Sequence, residues 1–269
     1  VDLRNNGGGS PSMIQLITSY LYGSEPVHLN SFYYRPTNEN TQTWTLAEVQ
    51  GKRRPDINVY VLTSPKTFSA AEEFTYNLKN LKRATIIGET TGGGAHPGGI
   101  RVATERFTVW VPTGRAINPI TKTNWEGTGV KPDIEVKATD ALITAHVKAL
   151  EDLVANTTGA SRQRYEWQLT SLQSKKEAVK LEESTLKGFA GTYGEKRIVL
   201  EDSTLYFFPF PDMKVKLTPL TKDVFAIGDM KNVRLKILSE NNAVTGIEEL
   251  FDNGKADKHL KKEVIRKQM

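Results

Sequence analysis

The chain has 269 residues, 38% hydrophobic and 25% charged, enough for one large core or two smaller ones and unlike the composition of a disordered protein. It has no cysteine, which excludes disulfides and thiolate chemistry, and no apolar run approaching the ~20 residues of a membrane-spanning helix. The net charge is +5, and the basic residues lie mostly in the C-terminal half as mixed-sign runs such as KADKHLKKEVIRK, which read as a solvated face and not as a nucleic-acid footprint.

The opening VDLRNNGGG lacks Met and reads as the end of a strand, so the chain is expected to be an excised piece whose natural N-terminus, with any targeting signal, precedes it. SPSMIQLITSYLYG predicts a helix with Ser10 as N-cap, Pro11 at the first position, and Met13, Ile14, Ile17 and Tyr20 on one face. The stretch from His28 to Arg54 is polar and loop-like, with one strand over Ser31 to Tyr34. INVYVLTS crowds Ile57, Val59, Tyr60 and Val61 as a buried strand does, spanning Ile57 to Thr63. A helix follows, with Ala70, Ala71, Glu72 and Glu73 in its first turn and an apolar stripe of Phe74, Leu78 and Leu81. ATIIGE and RFTVWVP predict strands, and TDALITAHVKALEDLVANT a helix packed through Ala141 with Ala145 and Leu142 with Ala149. The alternation of strands and helices argues for an α/β domain over 1–155. A charged helical connector covers 156–187. From 188 to 269 short strands separated by Asp, Asn, Gly and Pro turns predict a small all-β domain.

Ser69 stands between strand and helix in TSPKTFSAAEEFTYNL. A serine there caps a helix well. The same position, with unpaired N–H groups and the positive end of the helix dipole, also suits a nucleophile whose oxyanion must be stabilised. Two glycine-rich stretches flank it in sequence. DLRNNGGGSP lets the backbone approach a ligand with its N–H groups exposed, and GETTGGGAHPGG follows the next strand, placing it near the same strand ends.

Taken together, DLRNNGGG, TSPKTFSAAEEF, GETTGGGAHPGG and NWEGTGVKPDIEV resemble, in order, four blocks of the C-terminal-processing, or tail-specific, serine peptidases, the branch similar to tricorn core protease and interphotoreceptor retinoid-binding protein, over about residues 1–153. The resemblance implies a crotonase/ClpP-like ββα superhelix, ahead of the connector and the all-β domain. It implies a serine endopeptidase acting on polypeptides through an acyl-enzyme on Ser69, with N–H groups of Gly8, or its neighbour Gly7, and Ala70 as the oxyanion hole. It implies no cofactor or metal, leaves a homo-oligomer open, and suggests an extracytoplasmic place, periplasm or cell envelope. No PDZ-like module is found in these residues.

The match departs from the family in one respect. Where the bacterial branch carries a base lysine, this sequence has Gly94, and GETTGGGAHPGG contains no lysine. The tricorn-like branch instead draws a histidine from a segment upstream of DLR, oriented with help from a glutamate that Glu126 matches. Within the chain, His96 is the alternative base, since imidazole titrates near ~6.5; as a cleft or loop residue it has a structural reading too. His28, His146 and His259 show no acidic partner at recognisable spacing. Arg115 suits either a carboxylate ligand or a structural ion pair. A second function on the same fold is a non-catalytic protein holding an apolar ligand.

Overall fold

The computed structural model describes residues 1–241 and 243–262. The chain separates into two compact units, Val1–Ala145 and His146–Met269. In the first, Ser10 caps α1 (Pro11–Ser19) as expected, its extended backbone turning the hydroxyl to accept the Ser12 N–H. The face that α1 buries is not the expected one: Ile14, Thr18 and Ser19 are inside, while Met13 and Ile17 are exposed. Ser19 Oγ explains the rotation, because it donates to the Gln15 carbonyl at 2.6 Å and accepts the Leu46 N–H at 2.8 Å, satisfying a buried polar group.

The polar stretch after α1 is a hairpin and not a loop. β1 (His28–Tyr34) pairs antiparallel with β2 (Glu39–Trp44), whose side chains ENTQTW are almost all exposed. Such a strand has no apolar alternation to announce it. It exists because β1 is held on its other edge by a strand far along the chain.

β3 (Tyr60–Thr63), shorter than predicted, leads to α2 (Ala70–Asn80) and β4 (Thr85–Gly88). An exposed hairpin of β5 (Gly98–Thr104) and β6 (Phe107–Pro112) follows, then β7 (Gly114–Ile117), which is the second partner of β1. β8 (Ile134–Glu135) precedes α3 (Ala138–Asn156), in which Ala141 and Ala145 are buried as expected and Leu142 is exposed. β3, β4 and β8 are parallel, and Asp2 bridges Leu62 in the same sense. Side chains alternate across this sheet: Val61 and Ile86 pack with Ile14, Phe74 and Leu78, whereas Leu62 and Ile87 pack with Ala141 and Ala145. Because the strands are parallel, the loops 4–9, 64–69 and 89–97 all leave from one edge.

The second unit holds α4 (Gly159–Lys176) and α5 (Glu183–Phe189), then β9 (Gly191–Tyr193), β10 (Lys196–Glu201), β11 (Thr204–Phe210), β12 (Met213–Pro219), β13 (Val224–Ile227), β14 (Val233–Glu240), β15 (Ala243–Phe251) and β16 (Ala256–Leu260). These strands form one antiparallel meander in sequence order. A Tyr193–Lys261 bridge and the Lys262 N–H donated to the Thr192 carbonyl at 2.8 Å bring its two ends together, so little free edge is left. Alternating residues such as Ile198, Phe207, Phe225, Leu235 and Ile247 fill the interior, with Leu186 and Phe189 of α5. α4 buries no side chain of its own, but Arg234 stacks over Trp167 at 3.8 Å and donates to Ser171 Oγ at 2.6 Å. Burial pushes the Arg234 guanidinium down to about 10.

The architecture is thus the one expected: a mixed α/β unit, helices, and an all-β part. Within the run KADKHLKKEVIRK, read as a solvated face, Ala256–Leu260 form a largely exposed strand, and residues 263–267 of the run lie outside the described residues. No described helix is long and apolar enough to cross a membrane.

Candidate active site

Beyond β3 the chain makes a tight turn that is tied to the first glycine stretch. Thr67 Oγ1 accepts the Ser64 N–H at 3.0 Å and donates to the Leu3 carbonyl at 2.8 Å, while the Phe68 N–H reaches the Asn6 carbonyl at 3.1 Å. The turn closes on Ser69 at φ 55°, ψ −122°, a backbone state that side-chain-bearing residues rarely adopt. Its carbonyl takes the N–H groups of Glu72 and Glu73. Its hydroxyl faces the Glu72 N–H in a capping-box arrangement completed by the Glu72 carboxylate on the Ser69 N–H.

Gly8 lies directly against this turn at φ +108°. A Cβ on it would come within 2.8 Å of Ser69 Cβ and 3.0 Å of the Ala70 nitrogen, so only glycine permits the approach. The Gly8 N–H donates to Asn6 Oδ1 at 2.9 Å, within its own loop. Among the described residues the N–H groups of Gly7 and Ala70 meet no acceptor, and both residues line the cleft in front of Ser69.

Sequence reading placed Glu72 and Glu73 together as first-turn acids, and the structure separates them. Glu72 is fully buried and organises the second glycine loop: Oε1 accepts Thr91 Oγ1 at 2.5 Å and the Gly93 N–H at 2.6 Å, and Oε2 accepts the N–H groups of Gly94 at 2.8 Å and Ser69 at 2.9 Å. The S-x-x-E spacing of Ser69 and Glu72 was a signal for this, since such a glutamate reaches back to the cap backbone. Glu73, also buried, lines the cleft instead, and desolvation pushes its carboxyl up to about 7 against the weaker influence of Asn30.

In the loop that Glu72 holds, Gly94 lies against the Phe68 ring. A Cβ at Gly94 would sit 2.2 Å from the Phe68 ring, so no side chain fits there unless the ring moves. Trp125, buried, donates Nε1–H to the Gly94 carbonyl at 3.1 Å. Glu126 Oε2 accepts the N–H groups of Ala95 at 2.6 Å and His96 at 3.0 Å, and lies 3.8 Å from His96 Nδ1. Ser69, Ala70, Glu73, His96 and Glu126 therefore share one cleft of about 700 Å³, with Phe32, Phe68, Trp110 and Trp125 among its apolar walls. Arg115 lies outside that lining, over the Tyr33 ring at 5.6 Å.

Away from the cleft, His259 has the acidic neighbours that its spacing did not reveal. Its Nε2 is 3.2 Å from Glu249 Oε2 and 3.4 Å from Asp257 Oδ2, brought close by the pairing of β15 with β16. These three side chains have the donor types of a metal site, but the Lys196 ammonium already contacts Glu249.

A strained serine at a strand-to-helix turn, a glycine loop against it and the open N–H groups of Gly7 and Ala70 are thus brought together at the start of α2. The model of peptidase family S41 matches residues 1–136, half of this 269-residue chain, and the chain belongs to that family. Solved structures similar to it include the photosystem II D1 C-terminal processing protease, at 23% identity over 51% of this chain and 34% of that one, TM-score 0.40. A putative peptidase from Parabacteroides merdae is similar at 24% identity over 55% of this chain and 50% of that one, TM-score 0.46. Mature CPAF is similar at 17% identity over 59% of this chain and 44% of that one, TM-score 0.46. The chain thus spans between 34% and 50% of the length of these three structures.

Proposed function

We propose that this chain is the catalytic part of a serine endopeptidase in which Ser69 Oγ attacks the scissile carbonyl of a polypeptide. The hydroxyl proton passes to a base, the amine leaves with a proton returned by that base, and water then hydrolyses the acyl-serine. The observation that carries this reading is the backbone state of Ser69, an energetically costly conformation that a simple helix cap does not require. The oxyanion would be met by Ala70 N–H together with Gly7 or Gly8. Gly7 N–H is open to the cleft, whereas Gly8 N–H would first have to leave Asn6. The base is assigned to a histidine from a segment that precedes the DLR block, with Glu126 as a positioning residue that holds the His96 loop. His96 is the candidate base within the chain, since it shares the cleft with Ser69 and lies next to Glu126.

In the full-length protein, Ser69→Ala is expected to abolish hydrolysis of a casein-like substrate. Glu126→Gln should keep labelling by an active-site serine reagent while lowering turnover by roughly 10–100-fold. His96→Asn should reduce turnover less than Ser69→Ala does; an equal loss would transfer the role of base to His96. The second reading, a non-catalytic protein holding an apolar ligand, draws on the aromatic walls of the cleft. It would be favoured if Ser69 resisted the reagent in a folded protein that bound an apolar fluorophore in competition with nothing peptidic.

A further inference from the structure

Glu73 is the cleft residue for which peptide-bond chemistry has no use. It stands four positions after Ser69, one turn along α2, and both line the same cleft. It is 4% exposed. Among the described residues its carboxylate has no ion pair, and the polar group beside it, Asn30, has an Nδ2 that meets no acceptor in bonding geometry. Its neighbour Glu72 accepts four hydrogen bonds. A carboxyl held from water with little beside it except Asn30 either keeps its proton or pairs with a cation, and a cation carried by a bound molecule would take that proton's place. The complement is absent from the cleft itself, whose lining includes Glu73, His96 and Glu126 and neither lysine nor arginine.

We infer that Glu73 is a specificity-determining residue that pairs with a cationic side chain, lysine or arginine, of the polypeptide bound at Ser69. The walls suit such a guest. Phe32 and Phe68 offer apolar surface to its methylene stem and ring faces to its charge, so that the ammonium or guanidinium is delivered to the carboxylate while the stem stays dry. The same pair of carboxylates, Glu73 and Glu126, disfavours a free C-terminal carboxylate or an acidic side chain in this part of the cleft. The inference rests on the peptidase reading for the identity of the bound molecule.

The test uses the full-length protein and two internally quenched peptides identical except that one carries lysine where the other carries norleucine, scanned through the positions flanking the scissile bond. At one position the wild type should favour lysine in kcat/KM by about 10-fold or more, and in Glu73→Gln that ratio should fall toward one. Glu73→Met serves as a second variant, and thermal unfolding of both establishes that they are folded. A lysine preference that survives both substitutions, or no preference at any position in the wild type, overturns the inference. If the wild type cleaves neither peptide, the peptidase reading fails. The specificity claim is then decided by titrating the same peptides into the wild type and Glu73→Gln, where equal affinities for lysine and norleucine peptides overturn it.

Discussion

Glu72 and Glu73 are adjacent, chemically identical and both buried, and they answer to opposite physics. Glu72 is satisfied by three backbone N–H groups and one hydroxyl, all of which would lose their acceptor in Glu72→Ala. With roughly 1–3 kcal/mol for each buried donor left unsatisfied, that variant should lose at least about 3 kcal/mol in urea unfolding. A loss below about 1 kcal/mol would show that the second glycine loop does not depend on it. Glu73 behaves in the reverse sense. Its folded-state value of about 7 exceeds the ordinary 4.5, so the folded chain keeps a proton that the unfolded chain has released. The stability this contributes is full below about 4.5 and is lost as pH rises through about 7. Glu73→Gln should therefore flatten the pH dependence across that window and be more stable than the wild type by about 1–3 kcal/mol at about pH 8. Parallel melts at several pH values check both the sign and the window.

At the scale of elements, the decisive arrangement is the set of loops leaving the parallel edge of β3, β4 and the opening bridge. Their glycines were legible as turns, and their order as a family pattern. What could not be read was that Phe68 from one loop covers Gly92 and Gly94 from another, since that contact joins segments that only the sheet brings together. Introducing the base found elsewhere in the family should fail for this reason: Gly94→Lys should cost about 1–3 kcal/mol through overlap with the Phe68 ring and should not raise turnover. Adding Phe68→Ala should recover part of that cost, a non-additivity that a double-mutant cycle in thermal unfolding measures. β2 escaped sequence reading because ENTQTW has no apolar alternation, and the hairpin is stabilised through β7, which pairs with the other edge of β1 from far along the chain.

For the whole molecule, the second unit has its own interior, built from β9 to β16 and closed by α5. Residues 146–269 expressed alone are expected to unfold in one cooperative transition, and Phe207→Ala, at 1% exposure, should lower its stability by about 3–5 kcal/mol. A broad, non-cooperative melt would show that this unit depends on the rest of the chain. The near closure of the meander accounts for a charged final strand, since β16 is needed to meet β9 and not to bury apolar surface.

By itself the sequence determined the α/β then all-β order, the strand–Ser69–helix turn, and the glycine blocks that mark the family, because each is written in local propensity and short spacing. The tertiary structure alone decided that Ser69 is strained, that Gly8 N–H is engaged by Asn6 while Ala70 N–H is open, and that Glu126 rests on the His96 loop. It also decided that Glu72 is spent on holding that loop while Glu73 is left facing the cleft. These depend on which distant backbone groups reach a side chain, and a buried carboxylate has its role set by those neighbours and not by its own position in the chain.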